Sequence, residues 1–78
     1  MIHVRTIYDA PAWRNMVDGL QQGITYSSFV AAKAAGRAIA IDLGASHEVQ
    51  DTDGSVLEHH VYAPRTESIG KAPGFYLP

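Results

Sequence analysis

The chain of 78 residues contains no cysteine. This excludes disulfide frameworks and thiolate metal sites, and with them the usual cross-links of a small secreted domain. Long apolar runs are absent as well: the stretch from Ala38 to Ile41 ends at Asp42, far short of the roughly 18 residues that span a bilayer. The N-terminal residues lack the pattern of a signal peptide. We therefore expect a cytoplasmic protein with no membrane segment.

Basic residues are few and scattered. Six Lys and Arg against eight Asp and Glu give a net charge of −2, and only Lys33 and Arg37 are near neighbours. Binding to phosphate backbones relies on clustered positive charge. Nucleic acid is therefore not the main partner that the composition favours.

Large apolar side chains are also scarce. The apolar fraction is 46%, but eleven of these residues are Ala, which bury little area each. A chain of this length forms one domain with a small core. Such a core favours stabilisation by self-association or by a protein partner.

Alternating residues in the first third of the chain predict strands. Residues 2–8 place Ile2, Val4, Thr6 and Tyr8 on one side, which is strand periodicity. A second strand is predicted from Trp13 to Val17, ending at Asp18-Gly19. A short return strand is predicted at residues 24–26.

The middle of the chain predicts one helix, from Phe29 to Leu43. Ser27 or Ser28 can cap its first turn, and Gly44 suits its end. Gly36 in mid-helix costs about 1 kcal/mol relative to Ala, which indicates close approach to a sheet. The stripe predicted to face this sheet comprises Ala32, Ala35, Gly36, Ile39, Ala40 and Leu43.

A second row of small apolar residues runs along the predicted helix. It comprises Ala31, Ala34, Ala38 and Ile41, with charged residues only at its margins. A solvent-facing helix usually carries more charge than this. Ala is also the best helix former, so the row is either an ordinary Ala-rich surface or a contact surface for another chain.

Asp51-Thr52-Asp53-Gly54 predicts a turn between two further strands, at residues 46–50 and 56–62. Asp favours the first turn position and Gly tolerates the positive φ of the last. A type I turn with a Gly bulge places His47 opposite His59. A two-residue Asp53-Gly54 turn places His47 opposite His60 instead.

Residues 64–78 have a different composition, with three Pro and two Gly. They predict an irregular or flexible tail following a compact domain at residues 1–63. The tail ends in Phe75, Tyr76 and Leu77, an apolar cluster that either frays or docks on the body or on a partner. The overall prediction is an α+β fold of order strand-strand-helix-strand-strand, with an antiparallel sheet of about four strands and the helix on one face.

From Trp13 to Tyr62 the sequence resembles the family called Domain of Unknown Function 2188, small bacterial and phage domains. The resemblance is carried by the Trp-led strand ending at Gly19, the Ala-rich helix, Gly44-Ala45, the Asp51–Gly54 turn and the Glu58–Tyr62 strand. The sequence departs from the family pattern at Asn15, Lys33, Gly36 and His47. The resemblance supports the fold and implies no activity, cofactor or catalytic residue.

The four His do not predict a metal site. His59 and His60 are neighbours on one strand and face opposite ways, so at most one can join His47, whereas zinc needs three or four converging ligands. The Asp51–Gly54 segment lacks the length of a calcium loop. We expect no metal and no cofactor.

Catalytic patterns are missing too. No Ser, base and orienting group share a motif, and a domain this thin rarely encloses a pocket of several hundred cubic ångströms. We expect no enzyme activity and no small-molecule substrate.

The sequence therefore predicts a small non-enzymatic protein-interaction module, comparable in type to phage-encoded inhibitors of host proteins. It would bind a protein partner or a second copy of itself. The predicted contact residues are Ala31, Ala34, Ala38, Ile41, Trp13, Phe75 and Tyr76. The alternative is a nucleic-acid-binding domain that uses Lys33, Arg37 and a sheet face with Tyr26 or Tyr62.

Overall fold

A computed structural model describes residues 1–63, which form five strands and one helix. In chain order these are β1 (His3–Asp9), β2 (Ala12–Val17), β3 (Leu20–Gln21), α1 (Phe29–Leu43), β4 (Ser46–Gln50) and β5 (Val56–Val61). The predicted α+β class with a single helix is confirmed. The predicted tail at residues 64–78 lies outside the described residues. Within residues 1–63, α1 is too short and insufficiently apolar to cross a membrane.

The sheet has five strands in the order β3-β2-β1-β4-β5. The pairs β1–β2, β2–β3 and β4–β5 are antiparallel, but β1 and β4 run parallel. The prediction of an antiparallel sheet of about four strands is therefore only roughly matched, because the sheet is mixed and has a fifth strand. The helix crosses the sheet and returns the chain beside β1 in the same direction, which strand periodicity does not encode.

Two details of the first half differ from the prediction. The two-residue strand β3 was not predicted, because two residues carry no alternation. The expected return strand at residues 24–26 is reduced to a single bridge, in which Tyr26 exchanges backbone hydrogen bonds with Trp13.

The ends of α1 follow from local chemistry. Ser28 is the N-cap, and its hydroxyl oxygen accepts the N–H of Ala31 at 3.2 Å. Gly44 ends the helix with φ of 64° and donates its N–H to Ala40 and Ile41, which suits a residue without a Cβ.

The helix faces the sheet through the smallest members of the predicted stripe. Ala32, Gly36 and Ala40 are buried, and Ala35 and Ile39 are half-buried. Leu43, the last residue of the helix, is 43% exposed, so it does not belong to the buried face. The short side chains on this face allow α1 to lie close to the strands.

Apolar packing is divided between the two ends of α1. Near its start, Trp13 packs between Tyr8 and Phe29, with ring centroids 5.0 and 4.9 Å apart. Near its end, a second cluster has Val4, Ala40 and Ala45 at its centre, with Val17, Ile39 and Tyr62 around them. The region between the two clusters is occupied by polar side chains, and it forms the candidate site.

Candidate functional site

Thr6, Asn15 and His47, here called the polar cluster, lie at the centre of the sheet under α1. Their side chains come from β1, β2 and β4, and no more than 2% of any of these residues is exposed. In the antiparallel pair of β1 and β2, Thr6 lies directly opposite Asn15. On the other side of β1, the parallel strand β4 carries His47. Buried polar groups are costly unless they are hydrogen-bonded, so the bonds within the cluster decide whether it is tolerated.

The hydrogen bonds of the cluster run in one direction. Asn15 donates its Nδ2 to the backbone oxygen of Ala32 at 3.0 Å, and Thr6 donates its hydroxyl proton to Asn15 Oδ1 at 2.6 Å. His47 Nε2 lies 2.8 Å from the same Thr6 oxygen. Since a hydroxyl has one proton and has already donated it, Nε2 must carry a hydrogen and donate to Thr6.

This arrangement fixes the tautomer of His47. In the neutral imidazole only one nitrogen carries a hydrogen, so Nδ1 is an unprotonated acceptor. His47 Nδ1 makes no hydrogen bond within residues 1–63. It is also not one of the fully buried atoms without a partner in these residues, so part of its surface is accessible to solvent. The ring therefore presents a free acceptor nitrogen to the outside of the cluster.

The pKa of His47 is lowered from its ordinary value of 6.5. Burial is the main cause because it penalises the charged ring, and nearby His60, Lys33 and Arg37 act in the same direction, against Glu58. His47 is thus held neutral, which agrees with its role as a donor through Nε2 alone.

Gly36 closes the cluster from above. A Cβ added to residue 36 would lie 2.5 Å from Thr6 Oγ1 and 2.8 Å from His47 Nε2. Real Cβ atoms do not approach so closely without displacing their neighbours. The glycine predicted to mark a close approach therefore does so, and what it approaches is polar.

A pocket of about 520 Å³, here called the β5 pocket, opens beside the cluster between α1 and the β4–β5 hairpin. Lys33 forms an ion pair with Glu58, and His60 Nε2 lies 3.6 Å from the other Glu58 oxygen. The hydrogen bond from Lys33 is the main cause of the lowered pKa of Glu58. The lining residues are Lys33, Arg37, His47, Glu58, His60 and Tyr62.

The β5 pocket contains both His47 and His60 because of the hairpin register. The turn forms as predicted: Gly54 donates to Asp51 and has φ of 88°, and Asp51 donates to Ser55. Beyond the turn, Gln50 pairs with Val56 but Val49 pairs with Glu58. The extra residue, Leu57, is a bulge that shifts the ladder, so His47 lies opposite His60 and the first predicted register is wrong.

A second pocket of about 430 Å³ lies on the sheet face that α1 does not cover. Its lining residues are His3, Arg5, Ile7, Met16, Asp18, Gly19 and Gln50. Both pockets are half open to solvent, so neither contradicts the expectation that so thin a domain rarely encloses a pocket of several hundred cubic ångströms. Within residues 1–63 no three His, Asp or Glu converge on a point that would hold a metal ion.

The predicted contact residues have different environments. Ala31, Ala34 and Ala38 are exposed, and Ile41 is half-buried. Trp13 is only 8% exposed, because its ring packs against Phe29 at the start of α1, so little of it is open to a partner. The remaining two, Phe75 and Tyr76, lie outside the described residues.

The residues of the nucleic-acid alternative are divided. Lys33, Arg37 and Tyr62 line the β5 pocket, but Tyr26 pairs with Trp13 at the other end of the sheet. Lys33 is already paired with Glu58. The basic side chains thus lie around a small pocket rather than along an extended face.

The outer edge of β5 is the most apolar exposed surface on the hairpin. β5 is the last strand of the sheet, and Val56, Leu57 and Val61 are 56%, 50% and 59% exposed. The opposite edge, β3, has only two residues. Sequence reasoning missed the β5 edge because residues 56–61 look like any other strand until the strand order is known.

Sequence reasoning also missed the polar cluster. The available signal was the departure of Asn15, Lys33, Gly36 and His47 from the resembled family pattern, because three of these residues meet at the cluster and Lys33 lines the adjoining pocket. Comparison of the chain with protein-family models, curated proteins and solved structures finds no match. The resemblance to Domain of Unknown Function 2188 therefore stays a prediction.

Proposed function

We propose that this chain is a small non-enzymatic protein-interaction domain, in which β5 pairs with the β5 strand of a second copy. The observation that carries the proposal is the exposed six-residue edge strand with three large apolar side chains. Exposed edge strands present unpaired backbone groups and are protected by Lys, Pro or bulges where pairing is unwanted. Residues 56–61 contain no Lys or Pro, and their one bulge, Leu57, lies at the turn end of the strand and leaves residues 58–61 in regular register.

The backbone geometry of β5 suits such pairing. Just after β5, Tyr62 donates its N–H to the backbone oxygen of Ala45, the residue that precedes β4. Antiparallel strands alternate between residues bonded to one side and residues bonded to the other, so the N–H and C=O groups of His59 and Val61 point away from β4. No other strand within residues 1–63 takes these groups, so they can pair with a strand of a second copy.

Self-pairing is favoured by the order of residues in β5. A two-fold axis at His59 would place Leu57 opposite Val61 of the second copy, and Glu58 opposite its His60. The first pair joins apolar side chains and the second joins an acid to an imidazole, both of which stabilise antiparallel neighbours. In a two-fold symmetric dimer the same surface of each copy forms the interface, and such dimers are the commonest soluble oligomers.

The helix row is a weaker contact surface. Three of its four members are Ala, whose burial contributes little, and Ile41 is already half-buried. The row remains the competing prediction, and it is tested by Ile41→Glu. Self-association lost in that variant, with the fold intact, would locate the interface on α1 instead of β5.

The polar cluster is not arranged for nucleophilic catalysis. A hydroxyl nucleophile must give its proton to a neighbouring base. In this protein the Thr6 hydroxyl gives its proton to Asn15, and His47 donates to Thr6. The pair is therefore arranged in the opposite sense to a nucleophile and its base.

The test is sedimentation of the purified chain from micromolar to millimolar concentration. His59→Pro removes one outward N–H and should give a monomer, while His59→Ala retains that N–H and should still dimerise. Both should melt close to the wild type, because residue 59 does not bond to β4. A wild type that is monomeric throughout, or a dimeric His59→Pro, would overturn the proposal.

A further inference from the structure

We propose that the β5 pocket binds inorganic phosphate, in a form that retains a hydrogen on one oxygen. The proposal stands on the arrangement of cations and of one acceptor nitrogen around this pocket. It does not require the proposed dimer, although Glu58 and His60 belong both to the pocket and to the dimer contact. It goes beyond the expectation that the domain takes no small ligand.

The pocket carries a local excess of positive charge in a protein of net charge −2. Lys33 is balanced by Glu58, but Arg37 forms no ion pair within residues 1–63. Lys33 and Arg37 are one helical turn apart and line the same pocket, since residues four apart share a helix face. The guanidinium group offers a planar fork of donors that matches phosphate oxygens.

The acceptor nitrogen narrows the choice of anion. His47 lines the pocket although only 2% of it is exposed. Its Nε2 hydrogen is used by Thr6, and its Nδ1 has no hydrogen-bond partner within residues 1–63. An acceptor facing an oxygen that bears no hydrogen is repelled, whereas an O–H group donates to it. The pocket thus combines cations, which attract an oxyanion, with a group that requires a hydrogen on it.

Hydrogen phosphate meets both requirements. At neutral pH inorganic phosphate keeps at least one O–H, whereas sulfate keeps none and a phosphate monoester is largely the dianion, since its second pKa is about 6. The remaining oxygens would take donors from Arg37 and from Lys33. The hydrogen-bond direction set by Asn15 and Thr6 therefore becomes a means of selecting phosphate from sulfate.

The test is calorimetric titration with inorganic phosphate, sulfate and phenyl phosphate at slightly alkaline pH, together with NMR shifts of His60 and Tyr62. We expect phosphate to bind at least about tenfold more tightly than sulfate or phenyl phosphate. Only phosphate donates a hydrogen bond from its O–H group to His47 Nδ1, and a hydrogen bond that involves a charged group contributes this much. Equal affinities, tighter binding of phenyl phosphate, or no saturable shift at His60 would overturn the proposal.

Variants locate the site. Arg37→Gln should weaken phosphate binding about tenfold or more, whereas Arg5→Gln, on the uncovered sheet face, should leave it unchanged. His47→Gln should reduce the preference for phosphate over sulfate. If that variant does not fold, the comparison of phosphate with sulfate on the wild type still tests the proposal. Monomeric His59→Pro should bind phosphate normally, and loss of binding there would contradict a pocket built by one chain.

Discussion

Gly36 on the helix lies directly over Thr6 on the central strand β1, so near that a Cβ on residue 36 would stand 2.5 Å from the Thr6 hydroxyl oxygen. The two residues depend on each other. The missing side chain leaves room for a hydrogen-bonded hydroxyl, and that hydroxyl joins the strands on either side of it.

Gly36→Ala should therefore destabilise the domain, although helix propensity alone predicts a gain of about 1 kcal/mol. The added methyl group must displace the polar cluster, and overpacking of this kind costs about 1–3 kcal/mol. Urea unfolding followed by Trp13 fluorescence measures the difference. The comparison variant is Ala38→Gly at an exposed helix position, which should cost about 1 kcal/mol by propensity. A stabilised Gly36→Ala would contradict the close contact.

Thr6→Val should cost about 2–6 kcal/mol of unfolding free energy. It keeps the shape of the side chain but leaves the His47 Nε2 hydrogen and Asn15 Oδ1 without their partner, and each such buried group costs about 1–3 kcal/mol. Thr6→Ser keeps the hydroxyl and loses one methyl group, so it should cost only about 1 kcal/mol. Equal losses in the two variants would show that the hydrogen bonds contribute little.

The free energy of unfolding should fall on mild acidification. The pKa of His47 is below its ordinary 6.5 in the folded state, so the unfolded chain binds the extra proton first. The stabilising contribution of neutral His47 is fully present above pH 6.5. It is lost as the pH falls from 6.5 to the lowered native pKa, by at most about 1.4 kcal/mol per pH unit for one proton.

Unfolding titrations of the wild type and His47→Gln separate this contribution from others. The variant should lack the loss that starts at pH 6.5. Glu58 has a lowered pKa, so its contribution is present above its ordinary value of 4.5 and is lost only at lower pH. The charged groups that face His47 from α1 are Lys33 and Arg37. A wild type as insensitive as the variant above pH 4.5 would count against a neutral, buried His47.

The helix cap offers a matched pair of substitutions. Ser28→Ala removes the oxygen that accepts the Ala31 N–H and should cost about 1 kcal/mol. Ser27→Ala alters the neighbouring residue, which has no capping role, and should change stability by less than about 0.5 kcal/mol. Thermal melts followed by circular dichroism distinguish the two, and equal effects would contradict the assignment of Ser28 as the cap.

Local patterns predicted the elements but not their partners. The alternation from Val4 to Tyr8, the glycine at position 44 and the Asp51–Gly54 turn each depend on a few neighbouring residues, and each was predicted correctly. The parallel pairing of β1 with β4 depends on where the helix delivers the chain. The residues of β1 and β4 do not predict whether the two strands pair in parallel or antiparallel orientation.

The candidate site was harder to predict for the same reason. Alternation places Thr6 on the same side of its strand as Val4 and Tyr8, but only the strand registers bring it together with Asn15 and His47. The pairing of His47 with His60 depends on a single bulged residue, Leu57, and a shift by one residue sends a side chain to the other face. A long-range arrangement of polar groups has no periodicity that a sequence reveals.

The parallel pairing of β1 with β4 also has a consequence for how the molecule assembles. Each hairpin joins residues that are close in the chain, whereas the contact between them joins residues such as His3 and Ser46, 43 positions apart. Closing so long a loop costs entropy before any contact is gained. We therefore expect the two hairpins to form early and to dock late. Two fragments divided in the loop at residues 22–27 should be able to recombine into the intact sheet.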